Sequence, residues 1–332
     1  NKEALGVPLK LTSALSISYD KRKTVGEVYD QIVRDLDEAE KYFLMLPKEK
    51  QFLPNYRITL PAVQLLKARV NLYMNNLEEA AKYAKNVIQD WDFALYDLRS
   101  LSYDGVTFPN YVTYDNPETI WAFGKRNDLL KFTYDLTGDY GVKDHRVLIN
   151  ASDELVDNYE DEGDLRKQFY LVPEYGYTPV CYLAVNKCMF LGESIPSDDK
   201  FMLALRLSEA YLILAEATAK TDPMIALNAV NELRKKRISE EKYKDKSGLS
   251  GDELLEFVRN ERRRELCFEG HRWFDLRRYG MPSFTRVWKE GGVPAKWFTM
   301  EKEDAAYTLP ISKEVMDRNP GLIQNRLGNP KY

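Results

Sequence analysis

Apolar residues recur at helical spacing in two separated blocks of the chain. Val25, Val28, Ile32, Leu36, Ala39 and Phe43 follow one another at three- and four-residue intervals up to Pro47. Thr24 with Glu27 has the form of a capping box at the start of this run, so the pattern predicts an amphipathic helix. A second helix is expected from about Pro61, a residue suited to a first turn, through Leu65, Leu66, Ala68, Leu72 and Tyr73 to a break at Asn75 and Asn76. Asn76 and Glu79 then form an expected cap for a third, with Leu77, Ala80, Ala81, Ala84, Val87 and Ile88 on its apolar side. The later block repeats the design. Ala210, Leu214, Ala215 and Ala217 share a helix, Thr221-Asp222-Pro223 make a turn, and Ala226, Val230 and Leu233 mark the next helix.

Each block has the form of a tetratricopeptide unit, two antiparallel helices with alanines where they approach closely. Two units fall short of the three or more that make a self-sufficient solenoid. Further N-terminal helices or the intervening segment are therefore expected to cover their faces. The fold class is mainly α, tetratricopeptide-like helix pairs in a superhelix with an irregular, loop-rich subdomain. Three regions are expected: 1–95 with one helix pair, 96–200 as a tyrosine-rich insert, and 201–332 with the second pair and a C-terminal loop region. Half of the 22 tyrosines lie between Tyr96 and Tyr182. The insert reads as loops, short strands and one helix, "ASDELVDNYEDEG", capped by Ser152. Irregular segments of this length are more often functional than idle.

Residues 259–280, "RNERRRELCFEGHRWFDLRRYG", interleave arginines with acids. Ser250 and Glu253 suggest a cap, and the helix is expected to stop at Gly270, with a short helix from Arg272 ending at Gly280. Glu261, Glu265 and Glu269 lie four residues apart on one face, where like charges repel unless cations converge on them. Arg264, with Arg272, Arg277 and Arg278 from the next helix, are the expected cations, and Asp275 sits between Arg272 and Arg278. Leu266, Phe268, Trp273, Phe274 and Leu276 are expected to fill the apolar side. The stretch reads as a structural brace rather than an acid–base site built on His271 with Glu265 or Glu269.

Composition narrows the function. A net charge of −4 and a pI of about 5.6 give no general attraction to phosphate backbones, and the acids among the arginines repel them locally, so no nucleic-acid partner is expected. Cys181, Cys188 and Cys267 lack paired spacing and have only His145 and His271 as imidazole partners, so they read as free thiols, with no metal and no cofactor. The first residues, "NKEALGVPLKL", have neither the basic start nor the apolar core of a signal peptide. A chain starting at Asn1 is expected to be a processed or trimmed product.

"NERRRELCFEGHRWFDLRRYG" resembles the signature of SusD/RagB-type proteins, surface glycan-binding lipoproteins of Bacteroidetes. "ALGVPL" at residues 4–9, "TVGEVYDQIVRDLDEAE", "KARVNLYMNNLEEAAKYAKNVI", "RLSEAYLILAEATA", "ALNAVNELRKKR" and the ending "YTLPISKEVMDRNPGLIQN" agree with it, in the order the family shows. Residues 261–278 and 307–325 are the most specific. The resemblance implies a non-catalytic protein of the outer-membrane surface that captures an oligosaccharide and hands it to a SusC-like TonB-dependent transporter. It also implies membrane association only through a lipid anchor, on an N-terminal third that this sequence lacks. After Gln324-Asn325 the chain departs from the family's proline and glycine.

Sugar recognition needs flat aromatic faces beside amides, carboxylates or guanidinium groups. The candidates in the insert are Tyr103, Tyr111, Tyr114, Arg126, Asn127, Asp128, Tyr134, Tyr140, Tyr170, Tyr175 and Tyr177. Trp121, in "TIWAF", reads as core and Trp273 as part of the brace. Trp288 and Trp297, flanking the glycine-rich "KEGGVPAK", are second-rank candidates. Two other functions fit the residues. One is a tetratricopeptide scaffold of the transporter complex without its own sugar site; the other is a glycoside hydrolase using two of the many carboxylates.

Overall fold

The computed structural model describes residues 1–14, 20–53, 57–101, 116–123, 151–159, 163–174, 181–183, 203–290 and 293–326. Helix α1 (Val25–Leu44) opens with the expected capping box. The Thr24 hydroxyl accepts from the Glu27 amide at 3.1 Å and the Glu27 carboxylate accepts from the Thr24 amide at 2.7 Å. A short helix α2 (Lys48–Gln51) leads to α3 (Leu60–Tyr73) and α4 (Leu77–Gln89), the first predicted pair. Two predicted caps do not form. Asn76 turns its amide to Asn71 rather than to the α4 amides, and Ser250 makes no side-chain bond to the helix it precedes.

The second pair is α7 (Leu207–Thr218) and α8 (Pro223–Lys235); the short helices α5 (Asp153–Asp157) and α6 (Leu165–Tyr170) lie in the insert. Ser152 caps α5 as expected. Helix α4 packs directly along α7, so the two pairs cover each other across the insert. Alanines make this possible: Ala62, Ala68, Ala80, Ala84, Ala210, Ala215 and Ala226 are all fully buried, and none keeps the backbones apart. The expectation that other segments cover these faces is thus corrected in part, because each pair serves as the other's lid.

The insert is tied at both ends. Strand β1 (Thr119–Phe123) pairs antiparallel with β4 (Leu203–Arg206), the strand that runs straight into α7. A second small ladder joins β2 (Val172–Glu174) to β3 (Cys181–Leu183). Leu98, Leu155, Val156, Tyr159, Phe169, Tyr170 and Leu171 share one core with Ala204 and Cys267. The described parts of the insert are therefore built into the scaffold and not hung from it.

Helix α9 (Gly251–Glu265) is followed by α10 (Arg272–Arg278). The first ends at Glu265, five residues before the expected stop, because Phe268 and Gly270 take positive φ (62° and 81°) and turn the chain. Phe274 does not fill the apolar side; it is 52% exposed and stacks on Tyr73. Residues flanking "KEGGVPAK" are strands instead of a loop: β5 (Phe284–Glu290) and β6 (Val293–Met300) form an antiparallel hairpin.

The two ends of the chain meet. Arg22 donates to the carbonyls of Leu5, Gly6 and Ile323 at 2.7 to 2.8 Å. A side chain on Gly6 would reach Val28 at 3.1 Å and the Lys23 carbonyl at 3.2 Å, which explains the glycine of "ALGVPL". Gln324 pairs its amide with both backbone groups of Ile311, at 2.8 Å each way, and the Asn325 amide donates to Leu309. We expect Gln324→Ala to lower stability by about 1–2 kcal/mol, since it leaves both Ile311 groups without that partner. Urea unfolding of the variant measures this, and no change would show the clip to be idle.

Candidate functional site

Glu265 is the hub of a buried charge lattice. It is fully buried, and Oε1 accepts from Arg206 (2.6 Å), Arg237 (3.1 Å) and the Tyr170 hydroxyl (3.2 Å). Oε2 accepts from Arg237 (3.0 Å) and Arg166 (3.3 Å). The three arginines come from three places: α6, the end of β4, and the residues just after α8. Arg237 and Arg206 also hold Glu118, which stands immediately before β1 and caps the Tyr96 amide at 2.8 Å. Arg206 grips Glu269 with two bonds, at 2.7 and 2.8 Å, and Arg166 grips Asp164 likewise, at 2.6 and 2.8 Å.

Glu261 accepts from Arg166 and Arg264, each at 2.6 Å, and lies 3.5 Å from Arg234. Burial opposes its charge, but Arg166, Arg264 and Arg234 more than offset that and hold its carboxyl well below the usual range.

A second face of α9 makes a separate cluster. Arg262 donates to Asp275 at 3.0 Å, and Arg278 joins Asp275 to Glu216. Glu209, buried in α7, accepts from Arg69 Nε at 2.7 Å and Nη2 at 2.6 Å. Despite burial, Arg69, His271 and Arg262 bring its pKa down to about 2. His271 lies beside it, and burial lowers its pKa to about 4. A guanidinium only donates, so the 3.3 Å contact from Arg262 makes His271 Nδ1 the acceptor and leaves the proton on Nε2.

The sequence-based pairing changes accordingly. Of the four expected cations, Arg264 alone meets the Glu261–Glu269 face. Arg278 serves Asp275 and Glu216, and Arg277 is exposed. Arg272 makes no ion pair among the described residues, and its Nε is buried without a hydrogen-bond partner. Helix α10 turns away after Gly270, and its Arg278 addresses Glu216 of α7 instead. The arginines that do converge, Arg166, Arg206, Arg234 and Arg237, were missed because they lie far off in sequence. A signal was present: Arg206, Glu209 and Glu216 are charges set in the otherwise apolar run "LALRLSEAYLILAEAT", a place that demands buried partners.

Of the ligand candidates, the structure describes Tyr170. It is fully buried in the insert's core with its hydroxyl on Glu265, so it is corrected from ligand residue to lattice residue. Tyr103, Tyr111, Tyr114, Arg126, Asn127, Asp128, Tyr134, Tyr140, Tyr175 and Tyr177 lie outside the described residues. Trp121 packs against the main core and stacks on Phe123, and Trp273 lies against Tyr307. Cys267 is a buried thiol 3.3 Å from the Tyr159 hydroxyl. Among the described residues no group of three or more side chains is placed to hold a metal, and no helix is long and apolar enough to cross a membrane.

A cleft of about 630 Å³ opens where the chain leaves the lattice for the tyrosine-rich stretch. Its lining is mainly polar, from Asp97, Arg99, Ser100, Gln168, Ser239 and Glu240; Leu101 and Leu165 are its partly exposed apolar side chains, beside the buried Leu98 and Phe169. Asp97 caps the short turn Leu98–Ser100 and binds Arg99 at 2.6 and 2.8 Å and Lys236 at 3.0 Å. These cations hold its carboxyl far below the usual range. The Leu98 amide donates to the Lys236 carbonyl, so the rim is fastened to the end of α8. Leu101 is the last described residue before the segment that carries Tyr103, Tyr111 and Tyr114.

Comparison with known proteins agrees with this architecture. Residues 197–332 match the model of the SusD family. A curated SusD-like protein of Formosa agariphila is 26% identical over 320 residues, which are 82% of this chain and 61% of the relative. A putative sugar binding protein from Bacteroides vulgatus superposes with a TM-score of 0.72 at 26% identity, covering 97% of this chain and 70% of that one. A SusD superfamily protein from Bacteroides thetaiotaomicron gives the same TM-score at 22% identity, with 98% and 72% covered. The chain thus spans about three fifths of its curated relative. The matched segment holds Arg206, Glu209, Arg237, Glu261, Glu265 and Glu269, so the part of the chain that matches the SusD family carries most of the buried lattice.

Proposed function

We propose that this chain is a non-catalytic nutrient-binding protein of the outer-membrane surface, which captures an oligosaccharide and passes it to a SusC-like TonB-dependent transporter. The observation that carries the reading is the cleft beside Leu101. A small apolar surface from Leu101 and Leu165 next to an amide, a guanidinium and hydroxyls suits a sugar, whose ring faces are C–H rich and whose edge is hydroxylated. The solved relative from Bacteroides vulgatus, described as a putative sugar binding protein, supports the same class of ligand. In this reading the ligand residues are those of the cleft together with Tyr103, Tyr111, Tyr114, Tyr134, Tyr140, Tyr175, Tyr177, Arg126, Asn127 and Asp128 of the insert, while the lattice on Glu261, Glu265 and Glu269 keeps the base of the insert rigid.

Isothermal titration of the protein against a panel of oligosaccharides checks the proposal. At least one class is expected to give saturable heat, with no reducing sugar released. Silence across the panel from a version carrying the family's N-terminal part would contradict it.

A further inference from the structure

Arg272 opens α10 half-buried, and among the described residues no carboxylate pairs with it. Its Nε is buried without a hydrogen-bond partner. Guanidinium groups that lose contact with water are ordinarily paired, so an unpaired one calls for a counter-ion or a ligand.

Two further arginines stand beside it, brought there by packing. Trp273, the next residue, lies against Tyr307 with ring centres 5.2 Å apart, and Phe284 meets Tyr307 edge-on at 6.2 Å. These rings seat the first residues of β5 beside α10. Two residues along β5, on the same face as Phe284, Arg286 lays its guanidinium over the Phe284 ring at 4.6 Å. From α9, Arg263 donates to one oxygen of Glu154 at 2.7 Å, while Arg286 lies 3.5 Å from the other.

The charges do not balance. Three guanidinium groups face the single carboxylate of Glu154, which is itself exposed, so a surplus of two positive charges is left. The neighbouring Lys289 is taken by Asp153 at 2.8 Å. Asp275, the other acid within electrostatic reach of Arg272, is already held by Arg262 and Arg278. The surplus acts on the arginines themselves. Burial first, and then Arg263, pull Arg272 below the usual guanidinium range, and burial with Arg263 does the same to Arg286 against the pull of Glu154.

A planar carboxylate presents two oxygens, enough to fork one guanidinium. A sulfate or phosphate group turns oxygens in several directions and carries up to two negative charges, which suits arginines arriving from α9, α10 and β5. We propose that Arg272, with Arg263 and Arg286, forms a binding site for a dianionic tetrahedral oxyanion, a sulfate or phosphate group. Arg272 supplies the guanidinium that no carboxylate holds, and Arg263 and Arg286 add the donors that Glu154 leaves unused. The site shares no residue with the cleft beside Leu101 and does not depend on sugar binding there.

Isothermal titration with sodium sulfate and with sodium phosphate, in chloride buffer of constant ionic strength, tests it on this chain and on variants. Wild-type protein is expected to show a single saturable site for either dianion. Arg272→Ala and Arg286→Ala are each expected to bind on the order of tenfold more weakly, from one lost charge-assisted contact. Arg277→Ala, which removes an exposed arginine of the same helix, is expected to bind as wild type. Glucose 6-phosphate separates the two sources of the group: tighter binding than inorganic phosphate assigns it to a sugar ester, and equal binding to the free anion. Wild-type protein without saturable heat overturns the proposal, as does wild-type affinity in Arg272→Ala or Arg286→Ala. An equal loss in Arg277→Ala, or acetate binding as tightly as sulfate, overturns it too, since either marks a diffuse field in place of a built site.

Discussion

Replacing Glu265 by glutamine is expected to lower the unfolding free energy by about 3–5 kcal/mol, the largest effect of any single substitution considered. The side chain keeps its shape, so the loss comes from charge. Arg166, Arg206 and Arg237 all point at this one carboxylate, and each is buried. Removing its charge leaves three guanidinium groups in low dielectric with less to balance them. Arg272→Ala serves as the contrast. It comes from the same arginine-rich stretch, yet it makes no ion pair among the described residues, and a change of about 1 kcal/mol or less is expected. Urea unfolding of both variants at neutral pH checks the pair. Equal losses would show that the lattice is not centred where the geometry puts it.

Acid is expected to unfold the protein in two stages. An unfolded histidine has a pKa near 6.5, whereas His271 in the folded state sits at about 4 because it is buried. Between those values the unfolded chain binds a proton that the folded chain does not. Stability is therefore full above about pH 6.5 and falls as pH drops towards 4, by about 3 kcal/mol at most. Glu209 adds the second stage. Its folded pKa of about 2 lies below the ordinary 4.5, so the stability it contributes is present above pH 4.5 and is lost as pH falls towards 2. His271→Gln keeps an acceptor for Arg262 and removes the titrating group. Its melting temperature is expected to vary less than wild type between pH 6.5 and 4.5. A variant with the same slope as wild type would assign the first stage elsewhere.

The helices and the alanine contacts between them were legible in the chain because they depend on local periodicity. Ala80, Ala84, Ala210 and Ala217 fall on helical spacing, and their burial follows. Caps were less legible. Thr24 with Glu27 forms its box, but the same pattern at Ser250 with Glu253 does not, since the N-cap geometry depends on how the preceding loop arrives. The brace was half legible. The face of Glu261, Glu265 and Glu269 announced a need for cations, but a one-dimensional reading offers only nearby arginines. The structure satisfies the face with Arg166, Arg206, Arg234 and Arg237, brought in by the insert and by the junctions of α7 and α8. Tyr170 illustrates the same limit: a tyrosine in a polar-looking loop becomes core once α6 packs on Cys267 and Leu98.

The partition between scaffold and binding surface is the central claim, and sugar affinity measured on a cleft variant tests it most directly. Arg99→Ala with Gln168→Ala removes two polar groups from the cleft and leaves Glu265 and its arginines untouched. Isothermal titration with the best oligosaccharide of the panel is predicted to show a loss on the order of tenfold or more, from two lost hydrogen-bonding groups, with stability lowered by no more than about 1 kcal/mol through loss of the part-exposed Arg99–Asp97 pair. Full affinity in that variant would place the sugar elsewhere and contradict the account.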